Sequence, residues 1–541
     1  MHRIKFSKPP QKPSPQQVAD SVNQPAYGLA RMLSMIFALT AILLPSAAQA
    51  AETAAPVADK INQILAPLAD AVNAVIFWSL PGTQIELIVV WLAIASFIIT
   101  IYFGFIQFRK LHLSVRVIRG HFTKPSDPGQ LTAFQALSTA LSGTVGLGNI
   151  AGVAVAITIG YLLYRRGVAL LWPSIIGVTL LYASMLVGNQ IPLSLPESMF
   201  GLGPAGIWVV ILFTYAAIAS LLPVWLLLQP RDYINGLQLF IGLGIFFLAV
   251  LLARPEVVAP MINPSVPDDV PPIFPLLFVT IACGACSGFH GLVSSGTTSK
   301  QVNNEQDVRF VGFLGTVGEG SLALAAIIAC TAGFATLGDW QGYYTSFATN
   351  GIDAFVQGGG GILASIPGIS ESFGRTLLAV MAILFAATTM DTGVRLLRYI
   401  VQEWGTIYDI PVLTGKGLST VLAVGCCLAL AFGSGGGGEG GLIIWPLFGT
   451  TNQLLAALTL LVLSVFILKQ GRPTVYTLAP FSFLLFMTVW ALLTQLRGFY
   501  DNEQYFLLGL DAVILVTAIW VGLESLSALR KAASESRESS A

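Results

Sequence analysis

Long apolar segments recur along the chain, separated by short polar stretches. Most are close to the roughly 20 residues that an α-helix needs to cross the hydrocarbon core of a bilayer. On this criterion we predict about twelve transmembrane helices, over residues 84–107, 133–163, 168–190, 205–229, 233–253, 273–297, 308–337, 376–400, 417–433, 440–468, 475–496 and 503–528. The pattern therefore indicates an all-α, polytopic transmembrane helix bundle.

The composition agrees with this pattern. Of the 541 residues, 55% are hydrophobic and only 10% are charged, whereas soluble domains carry about 25% charged residues. The 27 basic and 27 acidic side chains balance, which argues against nucleic acid or another strongly charged partner. The expected partners are the lipid bilayer and a small-molecule substrate, and the sequence leaves the oligomeric state open.

The sequence has no arrangement typical of an enzyme. Its 4 histidines are scattered, and neither a nucleophile beside a base nor a cofactor-binding loop is apparent. Cys283 and Cys286 have the spacing of a pair, but their apolar surroundings favour helix packing over a redox or metal role. We therefore predict that the protein is not an enzyme, that it has no catalytic residues and that it binds no cofactor or metal.

The two ends and two loops complete the organisation. Residues 1–50 form a polar leader with a signal-peptide-like apolar segment, which is either cleaved or retained as a first helix. Residues 51–83 read as an interfacial amphipathic segment, and 531–541 as a polar tail. The stretch 338–375, with its four successive glycines, is predicted as an extramembrane loop, and Gly435–Gly441 as a turn between helices.

Two glycine-rich segments interrupt the apolar pattern, Leu141–Ile150 and Ala282–Gly291. Unwound backbone at membrane depth is tolerated where it is buried in protein or lines a cavity, and paired interruptions of this kind point to the binding site of a transporter. Small residues for close helix packing are the alternative. Neighbouring polar groups favour two broken helices, whose candidate substrate-binding residues are Thr144, Gly146, Gly148, Asn149, Gly284, Ser287 and His290.

Several ionisable side chains fall inside predicted spans, where each needs a partner or a function. Asp391 precedes Arg395 by four residues, so the two could neutralise each other on one helix face. Neighbouring hydroxyls could instead complete a sodium site, and either Asp391 or Glu319 could carry a proton. The candidates for ion or proton coupling are Thr388, Thr389, Asp391, Thr392 and Glu319, with H⁺ or Na⁺ as the coupling ion. Asp511 is a further ionisable residue within a span.

Longer motifs resemble two transporter families. Gly104–Arg109 and Thr132–Gly152 resemble the alanine-or-glycine:cation symporter family, over residues from about 60 to 157. Leu222–Tyr233, Ser287–Lys300 and Trp445–Ala456 resemble the carbon starvation protein A family, over residues from about 160 to 470. The chain thus resembles a mixed or fused member of the carbon starvation protein A family. Its first helices, at 84–163, are symporter-like, and its core, at 164–530, is of the carbon-starvation type.

The resemblance implies a LeuT-type inverted-repeat transporter fold in which two helices are broken and hold the substrate. It implies a multi-pass protein of the bacterial inner (plasma) membrane that imports a small carboxylate-bearing nutrient, pyruvate or a small peptide, by proton or sodium symport. The alternatives are a sodium-coupled alanine or glycine symporter and, in another class, a non-transporting membrane sensor or subunit. Asn452 and Gln453, in one matched motif, are either gating or structural residues.

Positive charges pose a conflict for this topology. Basic residues at 109–124 and the pair Arg165–Arg166 both indicate cytoplasmic loops, yet one apolar segment lies between them. Three explanations are open. Residues 133–163 form a re-entrant hairpin, one of the two basic groups is wrongly assigned to the cytoplasmic side, or the chain is a fusion that lost helices near 157–163.

Overall fold

The computed structural model describes residues 78–82, 87–118, 171–190, 196–223, 226–260, 270–302, 304–345, 351–433, 435–438 and 440–538, with isolated positions elsewhere. Within these ranges the chain is built from helices. The principal helices are α1 (Leu87–Tyr102), α2 (Ile106–Arg109), α3 (Leu111–Ile118), α4 (Leu171–Gln190), α5 (Pro204–Leu221), α6 (Leu228–Ala253), α7 (Phe278–Ala285), α8 (Gly288–Val293), α9 (Val308–Ala332), α10 (Leu337–Tyr343), α11 (Gly351–Leu363), α12 (Glu371–Ile407), α13 (Pro411–Thr414), α14 (Lys416–Phe432), α15 (Gly440–Lys469), α16 (Val475–Asp501) and α17 (Tyr505–Glu538).

Eight helical stretches of the described chain are long and apolar enough to cross a bilayer, and three shorter apolar helices accompany them. Together they cover each predicted span except 133–163, which lies outside the described residues apart from two positions. The all-helical, multi-span part of the prediction is therefore confirmed for the described chain. Of the turn predicted at 435–441, residues 435–438 do lie between the end of α14 and the start of α15, whereas Gly440 is already helical.

Prolines set the boundary that hydropathy alone places wrongly. The predicted span 205–229 ends early, because α5 stops at Leu221 just before Pro223, which has no N–H to continue the helix. The next helix, α6, begins at Leu228 and accommodates Pro230 in its first turn, where the missing donor has no intrahelical acceptor. Between the two helices, residues 222–223 and 226–227 are outside regular helix.

The helices pack into two groups. In the first, the long helix α12 contacts α4, α5, α6, α11 and α14, around buried side chains such as Phe246, Met381 and Phe385. In the second, α15, α16 and α17 pack against one another around a cluster that includes Leu447 and Leu492. The short helices α7 and α8 lie against α15, so the candidate site borders the second group.

The prediction of an extramembrane loop at 338–375 is wrong about its structure. The segment contains α10 and α11, and the glycine run 358–361 lies inside α11. A Cβ atom at Gly358 would lie 2.1 Å from the carbonyl oxygen of Ala329 on α9, and one at Gly359 would lie 2.3 Å from a methyl carbon of Leu378 on α12. The glycines therefore allow α11 to approach both neighbours at backbone contact, as small residues do between membrane helices.

Replacing Gly358 by alanine should destabilise the fold by about 1–3 kcal/mol, because α9 and α11 must move apart to admit a methyl group. Thermal unfolding of the purified protein in detergent measures this loss. Gly425→Ala is the matched control, since a Cβ there meets no atom within 4 Å and alanine favours a helix by up to about 1 kcal/mol. Equal unfolding temperatures for the two variants would contradict the proposed backbone contact.

Candidate functional site

The helix through 273–301 is broken in its middle. It runs through α7 to Ala285, Ser287 is extended with φ −111° and ψ 133°, and α8 starts at Gly288. This confirms the interruption predicted for Ala282–Gly291. The other predicted interruption, with Thr144, Gly146, Gly148 and Asn149, lies outside the described residues, and its role in substrate binding stays a prediction.

Asn452 of α15 holds the two sides of the break together. Its Oδ1 accepts hydrogen bonds from the hydroxyl of Ser287 at 3.1 Å and from the backbone N–H of Phe289 at 2.9 Å. Its Nδ2 donates to the sulfur of Cys283 at 3.1 Å. A free N–H at the start of α8 would otherwise lack a partner. This amide thus contacts α7, the break and α8 at once, and we call this group the Asn452 clamp.

Glycines allow α8 to pack closely against α15 at the Asn452 clamp. A Cβ atom at Gly288 would lie 2.4 Å from the carbonyl oxygen of Asn452 and 2.6 Å from the backbone nitrogen of Ala456. One turn on, a Cβ at Gly291 would lie 2.5 Å from the hydroxyl oxygen of Thr459. The alternative for this glycine-rich segment, close packing, therefore coexists with the helix break.

Replacing Asn452 by alanine should destabilise the protein by about 1–3 kcal/mol, because buried donors at Ser287 and Phe289 lose their acceptor. Thermal unfolding in detergent measures the change. Thr451→Ala is the control, since Thr451 is an exposed residue whose hydroxyl donates locally, to the carbonyl of Leu447 at 2.7 Å. This substitution should change stability by less than about 0.5 kcal/mol. An Asn452→Ala protein as stable as this control would refute the clamp.

A cavity of about 1610 Å³ lies between the broken helix and α9. Gly284 of α7, His290 of α8 and Glu319 of α9 line it, together with hydroxyl-bearing residues such as Ser294 and Thr298. Glu319 and His290 are half-buried. The structure thus brings three of the predicted site residues to one cavity, whose other walls are largely apolar, as small-molecule sites usually are.

Asp391 lies in a different place, within a buried charge cluster between α5, α6 and α12. Its Oδ2 pairs with the guanidinium of Arg231 and accepts a hydrogen bond from the hydroxyl of Tyr215 at 2.7 Å. Arg231 also pairs with Asp232 at 3.0 Å. The side chains of Arg231, Asp232 and Asp391 are at most 4% exposed. The cluster therefore joins three helices through a desolvated network of charges.

The predicted alternative in which Asp391 and Arg395 neutralise each other is wrong, because Asp391 pairs with Arg231. Arg395 instead donates to the carbonyl oxygens of Ala219 at 2.6 Å and Leu222 at 3.3 Å, and Arg398 donates to that of Ser220. These carbonyls end α5, where a helix leaves acceptors without intrahelical donors. The two arginines thus cap α5 from α12.

The hydroxyls near Asp391 are on α12 and do not belong to the cavity lining described above. Thr388 and Thr392 are buried and Thr389 is half-buried, and the hydroxyl of Thr388 donates to the carbonyl of Phe385 in its own helix at 2.6 Å. The structure therefore separates Glu319 from the other four coupling candidates. A coupling role for Thr388, Thr389, Asp391 and Thr392 stays a prediction, with Arg231 as a competitor for any cation.

Two residues with long-range partners were not predicted in their observed roles. Arg231 was absent from the candidates, although a charge inside an apolar run signals a buried pair. For Asn452 the sequence predicted either a gating or a structural role. Its hydrogen bonds to Ser287 and Phe289 show that it contacts the helix break. The five cysteines are free thiols, and the described residues contain no group of three or more metal-ligating side chains.

Comparison with known families extends this description. The sequence profile described as carbon starvation protein CstA matches residues 130–337 and 335–491. The profile of the sodium:alanine symporter family matches residues 64–179. Both expected resemblances are confirmed. The match to the carbon starvation family begins at residue 130 rather than at the predicted 160, so the two matches overlap at 130–179. The predicted first broken helix is therefore similar to both families.

Curated relatives are transporters by name. The peptide transporter CstA of Campylobacter jejuni is 30% identical over 387 residues, covering 61% of this chain and 55% of the relative. The pyruvate/proton symporter BtsT of Escherichia coli strain K12 is 29% identical over 411 residues, covering 61% and 56%. The chain thus spans about half the length of the curated relatives it matches. No solved structure matches the chain significantly.

Proposed function

Because this chain belongs to the carbon starvation protein CstA family, we propose that it is a secondary active transporter of the bacterial inner membrane. Its substrate is a small carboxylate-bearing nutrient, pyruvate or a small peptide, taken up by symport with a proton or sodium. The observation that carries this proposal is the cavity beside the broken helix, with His290 and Glu319 in its walls. Intramembrane ionisable groups that face a cavity are typical of solute and ion pathways.

For the fold, we propose a LeuT-type inverted repeat of about twelve spans with two broken helices. The division of the described helices into two groups supports this arrangement, with the broken helix held by the Asn452 clamp against the second group. The segment Leu141–Ile150 supplies the other broken helix in this proposal. The site is then shared between the halves, with Thr144, Gly146, Gly148 and Asn149 on one side and Gly284, Ser287 and His290 on the other.

Coupling to a proton follows from the charges that share the cavity. A substrate carboxylate would lie in the same space as Glu319, and two negative charges repel unless one is protonated. Substrate binding therefore favours the protonated form of Glu319, which links the movement of solute to that of a proton. The imidazole of His290 can donate a hydrogen bond to the substrate carboxylate, whereas the N–H of Phe289 at the start of α8 already donates to Asn452.

A second candidate is sodium-coupled uptake of alanine or glycine. The observation that favours it is the match of residues 64–179 to the sodium:alanine symporter family, which includes the segment with Thr144 and Asn149. In that case the hydroxyls of Thr388, Thr389 and Thr392 and the carboxylate of Asp391 would supply the oxygen ligands of the ion. The two candidates differ in both substrate and driving ion, so one assay separates them.

The test is uptake of labelled pyruvate, alanine and a dipeptide into proteoliposomes, under separately imposed proton and sodium gradients. We expect accumulation of pyruvate or the dipeptide that follows the proton gradient. Accumulation of alanine that follows sodium would favour the second candidate. A folded protein that accumulates none of them under either gradient would contradict transport and favour a sensor or subunit.

A further inference from the structure

The three C-terminal helices bury a carboxyl group that the proposed transport cavity does not use. Asp511 of α17 is 0% exposed, and neither of its oxygens has a hydrogen-bond partner among the described residues. It lies in a span that is long and apolar enough to cross the membrane. An ionised carboxylate is strongly unfavourable in such a position unless a proton or another cation neutralises it.

Asp511 shares a helix face with leucines of a buried cluster that spans α15, α16 and α17. Leu508 and Leu515 lie three residues before and four residues after it, on the same helix face, and both belong to a buried cluster. Leu447 of α15 and Leu492 of α16 belong to the same cluster. Hard metal cations need several oxygen ligands, and this apolar cluster offers few.

One polar side chain is placed opposite Asp511 by the register of the helices. The helices α16 and α17 are joined by a turn of three residues, 502–504, and contact each other, so we treat them as an antiparallel helical hairpin. Gln495 lies as many residues before this turn as Asp511 lies after it. One helical turn closer to the connection, Phe499 and Leu507 are both in the buried cluster, so these positions share one interface.

The amide oxygen of Gln495 is available as a hydrogen-bond acceptor. It is 8% exposed, and its Nε2 donates to the carbonyl oxygen of Pro446 at 2.7 Å, which fixes the orientation of the amide. Its Oε1 has no hydrogen-bond partner in the described part of the chain. A protonated carboxyl has one O–H donor, and an amide oxygen is a suitable acceptor for it.

Among the residues that the structure describes, no cationic side chain is hydrogen-bonded to Asp511. The titratable side chains on α15 and α16, the helices packed against α17, are Lys469, Tyr476, Arg497, Tyr500 and Asp501. Lys469 is the last residue of α15, and Arg497 pairs with the exposed Asp501 at 3.3 Å. On α17, Glu524 is exposed and far along the helix from Asp511.

We propose that Asp511 is an intramembrane proton-binding site whose O–H donates to the Oε1 of Gln495. The proton neutralises the carboxyl and joins α17 to α16 by a hydrogen bond inside the leucine cluster. Because α15 belongs to the same bundle and carries the Asn452 clamp, the site lies in the wall that holds the broken helix. This assignment does not depend on the identity of the substrate or on transport.

The test is infrared spectroscopy of the full chain in lipid nanodiscs, since the C=O stretch of a protonated carboxyl is separate from the bands of an ionised carboxylate. At neutral pH we expect a protonated-carboxyl band in the wild type that Asp511→Asn removes. Gln495→Leu should keep this band and shift it to higher frequency, because the carboxyl loses its acceptor. Glu524→Gln, which removes an exposed carboxyl from the same helix, should leave it unchanged.

Two results would overturn the proposal. Identical wild-type and Asp511→Asn spectra in the protonated-carboxyl region would show that Asp511 is ionised at neutral pH. Loss of the band when sodium is added at constant pH would assign the site to a metal cation instead. Either result leaves the uptake assay free to support or contradict transport, so the two proposals fail separately.

Discussion

Replacing Arg231 by alanine should cost about 3–5 kcal/mol of folding stability, the range for removing one partner of a buried ion pair. The substitution leaves the carboxylates of Asp232 and Asp391 in a desolvated position without their shared cation. Since folded proteins are stable by only about 5–15 kcal/mol, much of the variant should aggregate or unfold during purification. Thermal unfolding in detergent, followed by tryptophan fluorescence, measures the loss.

An exposed pair on α12 provides the matched control. Arg375 pairs with Glu371 four residues earlier, and their side chains are 43% and 53% exposed. Arg375→Ala should therefore change stability by no more than about 1 kcal/mol. Asp391→Asn should fall between the two, because an amide oxygen can still accept from Tyr215. Similar unfolding temperatures for Arg231→Ala and Arg375→Ala would contradict a structural role for the buried cluster.

The second large effect concerns transport. Replacing Glu319 by glutamine should abolish accumulation of substrate against its gradient, because the amide cannot bind and release a proton. A tenfold proton gradient, worth about 1.4 kcal/mol, can sustain about a tenfold accumulation with one proton per solute. The variant should lose all of this accumulation while still exchanging internal for external substrate. Proteoliposome uptake and counterflow measure the two activities separately.

A neighbour on the same cavity wall controls for changes in the shape of the cavity. Thr316 also lines the cavity from α9, and its hydroxyl donates to the carbonyl of Gly312 in its own helix at 3.1 Å. Thr316→Val removes that hydroxyl at nearly constant volume and should retain accumulation. A Glu319→Gln protein that still accumulates substrate under a proton gradient would move the coupling site elsewhere, with Asp391 as the next candidate.

Local chemistry made part of this arrangement predictable. The lengths of the apolar segments located the long apolar helices of the described chain, although the ends of α5, α12 and α17 differ by seven to ten residues from the predicted spans. The glycines of Ala282–Gly291 indicated the break that Ser287 occupies. Glu319 was singled out because an acid among glycines inside a span needs a reason, and it lines the cavity. Each of these signals is carried by residues close together in the chain.

The pairings between distant segments were not predictable in this way. Asp391 has an arginine four residues later, so helical spacing suggested a local pair, yet its partner is Arg231, 160 residues earlier. The Asn452 clamp joins positions 163 residues apart. The glycines at 358–361 looked like a loop, since glycine favours turns, and only the proximity of Ala329 and Leu378 explains them as a helix interface.

The neighbouring carboxylate of Asp232 has a consequence for the biosynthesis of the protein. A chain that is inserted into the membrane as it is made contains Arg231 long before Asp391 is synthesised, and an unpaired arginine in a span opposes insertion. Asp232, bonded to Arg231 at 3.0 Å, can neutralise it within α6 in the meantime. The nascent helix can therefore enter the bilayer as a locally balanced unit, and α12 completes the cluster when it arrives.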